Sequence, residues 1–234
     1  MPPRSIPEGR LQDLLECSTR VFLEQGYRRT QIADIAAALG VAKGTVYLYV
    51  ESKQALFYAV LLHADGDVPP VSAVELPLAV PDADEFQIQM RDALAEEAIP
   101  PTLAAALQRA QVADAGAELS RIVRELYGLS FRRRRLIKLI DRCGRDHPEL
   151  AKLFYSGGRF AQLEALVRYL DTRIGSGALP AVADVAVAAR FVIECIATWA
   201  VHIHWDPSPQ PIVPEVAEET VVQLVVRSLV GGSE

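Results

Sequence analysis

The stretch TQIADIAAALGVAKGTVYLYVESK, residues 30–53, decides the fold of this 234-residue chain. Apolar residues in its first half recur at i, i+3, i+4 and i+7, at Ile32, Ile35, Ala36 and Leu39. This spacing places one apolar stripe on a helix. Gly40 follows, where a helix end favours a residue that can adopt positive φ. Lys43–Val50 then predicts a second short helix, so the stretch has the layout of a helix-turn-helix.

Helix signals flank this stretch on both sides. An apolar stripe predicts a first helix that starts at about Pro7 or Arg10, runs to Gln25 and stops at Gly26. Thr30 is placed to cap the next helix through its hydroxyl. Ser52 is a favourable N-cap for a further helix that turns Leu56 and its apolar neighbours inward. The flanking signals therefore predict a compact helical domain around residues 30–53.

Composition and charge leave a DNA-binding role open. Half of the residues are hydrophobic and only 7% are aromatic, and helical periods recur along the chain, which predicts an all-α protein. The net charge is −6, yet residues 1–63 carry seven Lys and Arg against six Asp and Glu. The acidic balance therefore belongs to the rest of the chain, and it does not count against nucleic-acid contact by the N-terminal part.

The chain divides into four predicted segments: a disordered N-terminus (1–9), a helix-turn-helix DNA-binding domain (10–64), a proline-containing connection (65–83), and a helical domain (84–234). The last segment contains seven predicted helices: Asp84–Ala98, Pro101–Ala113, Gly116–Ser130, Arg132–Arg145, Pro148–Ile174, Val182–Ile203 and Pro214–Val230.

Several classes of function find no support in the sequence. The three cysteines lack metal-ligand spacing and are expected to be small buried hydrophobes in a reducing cytoplasm. The most apolar run, Ala181–Ile203, contains three charged residues, so no membrane span is expected. No glycine-rich phosphate loop and no nucleophile elbow appear. We therefore expect no catalytic residues, no metal, no cofactor and a cytoplasmic protein.

The pattern GY-x-x-T, I-x-D-I-A-x-x-x-G-V-x-K-G-T-x-Y-x-Y and S-K-x-x-L-F closely resembles the N-terminal domain of TetR/AcrR-type transcriptional regulators. The residues that match are Gly26, Tyr27, Thr30, Ile32, Asp34, Ile35, Ala36, Gly40, Val41, Lys43, Gly44, Thr45, Tyr47, Tyr49, Ser52, Lys53, Leu56 and Phe57. The resemblance covers about residues 10–63. Three residues depart from the family pattern. Ala42 stands where the family often has a capping serine, Val50 replaces the more usual phenylalanine, and Glu51 brings a charge that opposes phosphate.

The resemblance implies a set of DNA contacts. Lys43, Gly44 and Thr45 would face base edges in the major groove. Thr30, Tyr47 and Lys53 would contact phosphate. Tyr49 lies on the same predicted helix as Tyr47 and is counted among the DNA-binding residues. The alternative is that the tyrosines pack in the core and that Lys43 is simply solvated. The constellation as a whole favours the interpretation as a DNA-binding helix.

The C-terminal half offers weaker signals. A pocket is expected near apolar and aromatic residues of its helices, at Phe131, Phe154, Tyr155, Trp199 and His202. The same residues would also fill an ordinary core. The four arginines 132–135 spread around more than one helical turn, so a solvated and salt-bridged run is favoured over a second nucleic-acid patch.

The resemblance thus implies a TetR-like all-α protein in which segment 84–234 is the ligand-binding and dimerisation domain. Such a protein binds a palindromic double-stranded DNA operator as a homodimer and is released by an unknown small-molecule effector. The last two helices are the expected dimer surface, which would form a four-helix bundle. Two alternatives remain open: a constitutive DNA-binding or scaffold protein without a ligand, and an all-α enzyme with a helix-turn-helix-like start.

Overall fold

The computed structural model describes residues 9–66, 69–70, 73–95, 99–109, 111–208 and 211–231. Helices make up the regular structure of these residues, and the β-structure among them is one isolated bridge between Val50 and Leu78. The all-α class is therefore confirmed. No helix among the described residues is both long and apolar enough to cross a membrane. The predicted disordered segment 1–9 lies, except for Gly9, outside the described residues.

The chain divides into two compact units. The N-terminal unit comprises the described part of 1–93 together with 135–153, and the C-terminal unit comprises 94–134 and 154–234. Residues 135–153 therefore group with the N-terminal helices, whereas the sequence placed them in the domain 84–234. The physical reason is a set of long-range contacts, such as Asp65 accepting hydrogen bonds from the backbone N–H groups of Arg135 and Leu136, at 3.1 and 2.8 Å.

The N-terminal unit is built from short helices. They are α1 (Arg10–Gln25), α2 (Ile32–Leu39), α3 (Lys43–Val46), α4 (Lys53–His63), α5 (Ala83–Ala95, to residue 93), α8 (Arg134–Cys143, from residue 135) and α9 (Pro148–Leu153). The bounds of α1 and the N-cap of α4 are as predicted: Gly26 ends α1 with φ 80°, and Ser52 Oγ accepts from Ala55 N at 3.1 Å.

Two predictions about this unit are wrong. Thr30 does not cap α2, because the N-cap is Gln31, whose N–H donates to Asp34 Oδ2 at 2.8 Å. The helix predicted over Lys43–Val50 ends at Val46, and turn residues follow it. A one-turn helix forms few backbone hydrogen bonds within itself, so the residues that follow it form their backbone hydrogen bonds with other segments.

The C-terminal unit holds the longer helices. They are α6 (Pro101–Ala106), α7 (Ala115–Arg132), a π-helical turn (Phe154–Gly158), α10 (Arg159–Gly175), α11 (Val185–Ala200), a 3₁₀ turn (His202–Trp205) and α12 (Pro214–Val230). The prediction for α12 is confirmed. The predicted helix Pro148–Ile174 is interrupted where the sequence reads Ser-Gly-Gly, residues with poor helix propensity. Residues 96–98, predicted to end another helix, lie outside the described residues.

A buried ionic network crosses the core of the C-terminal unit. The side chains of Arg173 and Glu118 are both fully buried, and Nε of Arg173 donates to Oε1 of Glu118 at 2.8 Å. Arg109 donates to the second carboxylate oxygen at 2.7 Å. Arg173 also donates to the carbonyl oxygens of Ala106 and Arg109, at 3.0 and 2.9 Å, where α6 has ended. Helix α6 therefore stops seven residues before the predicted end at Ala113.

Candidate functional site

Helix α3 presents the residues predicted to read DNA bases. Lys43 and Gly44 are exposed, Thr45 is half-buried, and Tyr47 directly after the helix is 42% exposed. Val46 is 1% exposed and anchors the helix to the unit below. The outer face therefore offers one cation, one position without a side chain, one hydroxyl and one phenol, which is a set suited to a DNA groove.

The chain after α3 is held by a distant segment. Leu78 N donates to Tyr49 O at 2.7 Å, and Glu51 N donates to Leu78 O at 3.0 Å. Tyr49 and Val50 are buried, with 7% and 0% exposure. Segment 76–80, which contains Leu78, is called the strap below. It satisfies backbone hydrogen-bonding groups just after α3, the predicted recognition element. Buried backbone groups without such partners would be costly.

Three of the predicted DNA-contacting residues occupy supporting positions. Thr30 is fully buried, and its Oγ1 donates to Gly26 O at 2.8 Å. Tyr49 is also buried. Lys53 Nζ donates to the carbonyl oxygens of Tyr27 and Thr30, both at 3.0 Å, and lies 4.3 Å from the centroid of the Tyr27 ring. The hydrogen bonds of Thr30 and Lys53 argue for a role in fixing the loop between α1 and α2, whereas Tyr49 is held after α3 by Leu78.

An aromatic cluster lies beneath this loop. The Phe57 ring is 4.8 Å from the Tyr27 ring and 5.1 Å from the Phe22 ring, centroid to centroid. His147 completes the cluster at 4.4 Å from Tyr27 and 4.8 Å from Phe57. Burial raises the pKa of the Tyr27 phenol, with smaller contributions from nearby groups. The loop that precedes the helix-turn-helix is therefore fixed by rings from distant parts of the sequence.

Sequence reasoning missed two parts of this site, Leu78 and His147. Leu78 lies in the proline-containing connection and acts through its backbone, so no side-chain pattern marks it. His147 is one histidine before a helix N-terminus, 90 residues from Phe57 in the numbering, and only the fold brings them together. Pro148 predicts a helix that starts just after His147, but it does not indicate which rings His147 contacts.

Two clefts in the described part of the C-terminal unit are large enough to hold a small molecule. The first has a volume of about 510 Å³ and is lined by Ile99, Pro100, Pro101, Arg121, Arg124, Glu125, Gly128, Leu129 and Arg132. The second, of about 620 Å³, is lined by Ile99, Leu107, Phe160, Ala161, Leu163, Glu164, Ala165, Val167 and Arg168. Both volumes fall within the range typical of small-molecule sites.

None of the five predicted pocket residues lines either cleft. Phe154 is buried and Tyr155 is 43% exposed, and their rings touch edge to face at 5.1 Å. Trp199 accepts a hydrogen bond at its carbonyl oxygen from Tyr127 Oη at 3.3 Å. The remaining two are half-buried: Phe131 beneath the Arg134 guanidinium at 4.2 Å, and His202 in the 3₁₀ turn.

No group of three or more His, Cys, Asp and Glu side chains suited to a metal ion occurs among the described residues. The cysteines Cys17 and Cys143 are buried, and burial raises the pKa of the Cys143 thiol to about 11. Cys143 is therefore a neutral thiol at physiological pH. Burial also lowers the pKa of His204, assisted by the Arg134 charge.

Comparison with known proteins bears on both units. Residues 14–60 match the family model described as bacterial regulatory proteins, tetR family. The HTH-type transcriptional repressor DhaR of Mycobacterium sp. (strain GP1) is 38% identical over 77 residues, which are 27% of this chain and 39% of DhaR. Across the curated relatives matched here, the aligned part spans 23% to 39% of their own length.

Solved structures extend the likeness to nearly the whole fold. The ketosteroid transcriptional regulator KstR2 of Mycobacterium tuberculosis superposes with a TM-score of 0.59 at 14% identity, covering 96% of each chain. PfmR, a TetR-family regulator from Thermus thermophilus, gives 0.57 at 21% identity, covering 98% of this chain and 100% of that one. The predicted resemblance is confirmed: residues 14–60 match the tetR family model, and nearly the whole fold is shared with these two solved structures.

Proposed function

We propose that this protein is a homodimeric transcriptional repressor that binds a palindromic DNA operator and releases it when a small molecule binds. The observation that carries the proposal is the exposed face of α3, with Lys43, Gly44 and Tyr47 outward and Val46 buried, inside the segment that matches the family model. The similarity to DhaR, a transcriptional repressor, supports repression as the outcome.

Burial refines the proposed contacts. Lys43 and Thr45 lie at the start of α3, from which side chains reach base edges, and Gly44 lets the backbone approach closely. Tyr47 is the proposed phosphate contact. Thr30, Tyr49 and Lys53 are proposed to act indirectly by holding the recognition element. This leaves a small contact surface for each copy, so two copies are needed for tight binding.

Exposed apolar side chains support a dimer through α11 and α12. Val187 and Phe191, four residues apart on α11, are 67% and 49% exposed, and Val216 and Leu224 on α12 are 59% and 61% exposed. An apolar face of this kind is typical of a protein interface. A two-fold pair would place two recognition helices about 34 Å apart, which matches successive major grooves.

Light scattering tests the dimer through Phe191→Glu and Leu224→Glu. Both side chains are exposed in one copy, so these changes leave its core intact, whereas removal of all of α12 would strip the buried Val221 and Val225 from it. We expect monomers from the double variant and dimers from the parent, because each glutamate would be buried without a partner. Thr172→Glu, which adds one acid at an exposed position of α10 away from the proposed interface, is the control. A dimeric double variant would move the proposed interface elsewhere.

Operator selection from random DNA, followed by affinity measurements, tests the DNA-binding part. We expect Lys43→Ala to weaken binding to the selected operator about tenfold, the range of one base contact. Lys152→Ala removes the same charge from an exposed lysine of α9 in the same unit and should leave affinity unchanged. Equal affinities of the parent and Lys43→Ala at several salt concentrations would contradict the assignment of α3.

The role of Lys53 is distinguished by salt dependence. If Lys53 holds the loop through Tyr27 and Thr30, Lys53→Ala weakens operator binding while the slope of log affinity against log salt stays that of the parent. A direct phosphate contact would instead reduce the slope by about one unit. The contacts of Nζ with two carbonyl oxygens favour the first result.

A further inference from the structure

One face of α7 carries a row of guanidinium groups along the 510 Å³ cleft. Arg121, Arg124, Gly128 and Arg132 are spaced at i, i+3, i+7 and i+11, so they share one side of the helix. The opposite side is core: Leu119, Ile122, Val123 and Leu126 are at most 1% exposed. The row is therefore fixed in position by a well-packed helix.

The lining of the cleft has more basic than acidic side chains, with three arginines and one carboxylate. Glu125, the one acidic residue of the lining, has both oxygens hydrogen-bonded to Thr102. Oε2 accepts from Thr102 N at 3.0 Å and Oε1 from Thr102 Oγ1 at 2.5 Å. The carboxylate is thereby held against α6 as part of the cleft wall.

The arginines differ in how they are engaged. Arg124 is held at the rim by two acids of α12, with Nη1 at 3.1 Å from Glu218 and Nη2 at 2.6 Å from Glu219. Arg121 makes no ion pair with any residue that the structure describes. A ligand anion therefore meets the guanidinium of Arg121 first, and a planar guanidinium suits carboxylate, sulfonate and phosphate groups.

The remaining wall is apolar. Ile99, Pro100, Pro101 and Leu129 line it. Ile99 is 38% exposed, so part of its apolar side chain is open to solvent. The cleft therefore combines a cationic side with an apolar side.

Gly128 keeps this cleft open. It lies in the interior of an 18-residue helix, where glycine is less stable than alanine. Outside the helix backbone, a Cβ at this position would meet only Nη1 of Arg132 among the described residues, at 3.4 Å. The packing of α7 therefore does not require glycine there, whereas any side chain would enter the cleft.

We propose that the cleft between α6 and α7 binds a small amphiphile that carries one anionic group, with the anion at Arg121 and the apolar body against Ile99, Pro101 and Leu129. This ligand class is the effector of the proposed repressor, an assignment that rests on the proposed function. The second cleft has one arginine and one glutamate in its lining and lacks this excess of positive charge.

Two fluorescent probes with the same ring system test the proposal. Anilinonaphthalene sulfonate carries one anion, and phenylnaphthylamine is its neutral counterpart. The full-length protein should bind the sulfonate about tenfold more tightly than the neutral probe, the gain expected from one charge-assisted contact. Equal affinity for the two probes would contradict a cationic site.

Four variants locate the binding. Gly128→Leu fills the cleft and should weaken both probes about tenfold or more, and Gly128→Ala should have an intermediate effect if the larger variant folds poorly. Arg121→Gln should remove most of the advantage of the sulfonate and leave the neutral probe unchanged. Arg168→Gln, an arginine of the second cleft, is the matched control and should change neither. Parent-like binding by both Gly128 variants would overturn the site.

Operator affinity measured in the same samples separates the two proposals. The sulfonate should lower the operator affinity of the parent and have no such effect on Gly128→Leu. Binding at the cleft without a change in operator affinity would overturn the effector assignment. A parent protein that selects no operator at all would overturn the proposed repressor, while the probe results with Gly128→Leu and Arg121→Gln would still decide whether the cleft binds anions.

Discussion

The two units are stabilised in different ways. In the N-terminal unit, rings of Phe22, Tyr27, Phe57 and His147 meet at centroid distances of 4.4 to 6.0 Å beneath the helix-turn-helix. In the C-terminal unit, the corresponding central feature is ionic: the fully buried pair of Arg173 and Glu118, with Arg109 on the second oxygen. One unit therefore depends on apolar packing and the other also depends on a matched set of buried charges.

This difference predicts how each unit responds to acid. Burial by itself would raise the pKa of Glu118, but the hydrogen bonds from Arg173 and Arg109 outweigh it and leave the pKa below its ordinary value. A carboxylate with a depressed pKa stabilises the folded state fully above its unfolded pKa, and this contribution is lost as pH falls through the folded pKa. The C-terminal unit should therefore be the more acid-sensitive of the two.

The largest expected effect comes from Phe57→Ala in the N-terminal unit. Phe57 is fully buried at the centre of the cluster, so the change should destabilise this unit by about 3–5 kcal/mol. Hydrogen exchange of the amides in α1 and α4, read by mass spectrometry, measures it locally. Phenylalanine does not titrate, so the loss should be the same across the acidic range. A loss that varies steeply with pH would contradict a purely apolar role.

Glu118→Gln should be the next largest, because it leaves the buried Arg173 without its countercharge, at a cost of about 3 kcal/mol. Both tryptophans of the chain, Trp199 and Trp205, lie in the C-terminal unit, so urea unfolding followed by tryptophan fluorescence reports on it. The difference from the parent should be full at neutral pH. It should shrink below about pH 4.5, where the glutamate protonates in the unfolded chain.

The matched control is Glu194→Gln, a partly exposed acid in the same unit whose pKa is also lowered by Arg159 and Arg190 against the effect of burial. Solvent screens such a pair, so its loss should cost well under half as much as that of Glu118. An effect of Glu194→Gln as large as that of Glu118→Gln would show that burial of the pair is not what distinguishes the C-terminal core.

A smaller effect is expected at the strap. Leu78→Pro removes the N–H that donates to Tyr49 O, while Leu78→Ala keeps it and changes only the side chain. Loss of one buried backbone hydrogen bond should cost about 1–3 kcal/mol locally, and operator affinity should fall several-fold. Binding to unrelated DNA, which depends on phosphate contacts, should change less. Equal operator affinities of the two Leu78 variants would show that the strap does not position the recognition element.

The strap and the buried ionic network depend on contacts that the sequence does not predict. The helix ends at Gly26, Gly40 and Ser52 could be predicted because a helix end depends on residues within one turn. The exposed face of α3 followed from the sequence motif. The contacts of Leu78, His147 and Arg173 join residues that are far apart in sequence. Such contacts carry no local pattern. The pocket residues Phe131, Phe154, Tyr155, Trp199 and His202 stay a prediction, and none of them lines either of the two clefts described above, since aromatic residues on helices serve cores and clefts alike.

The smallest predicted effect sharpens the comparison through two glycines. Gly144→Ala in the N-terminal unit would place a Cβ 2.6 Å from Ile140 O and 3.1 Å from Ala151 Cβ, so it should destabilise that unit. Gly128→Ala in the C-terminal unit meets only the end of a flexible side chain and gains helix propensity. It should stabilise that unit by about 0.5–1 kcal/mol, seen as a melting temperature roughly 2–4 °C higher by tryptophan fluorescence. A stabilised Gly128→Ala that also binds the sulfonate probe more weakly would mean that α7 retains a less stable residue where the ligand needs room. Loss of stability in Gly128→Ala would instead indicate that packing requires glycine at position 128, as it does at position 144. It would then remove the main support for a glycine kept to leave room for a ligand.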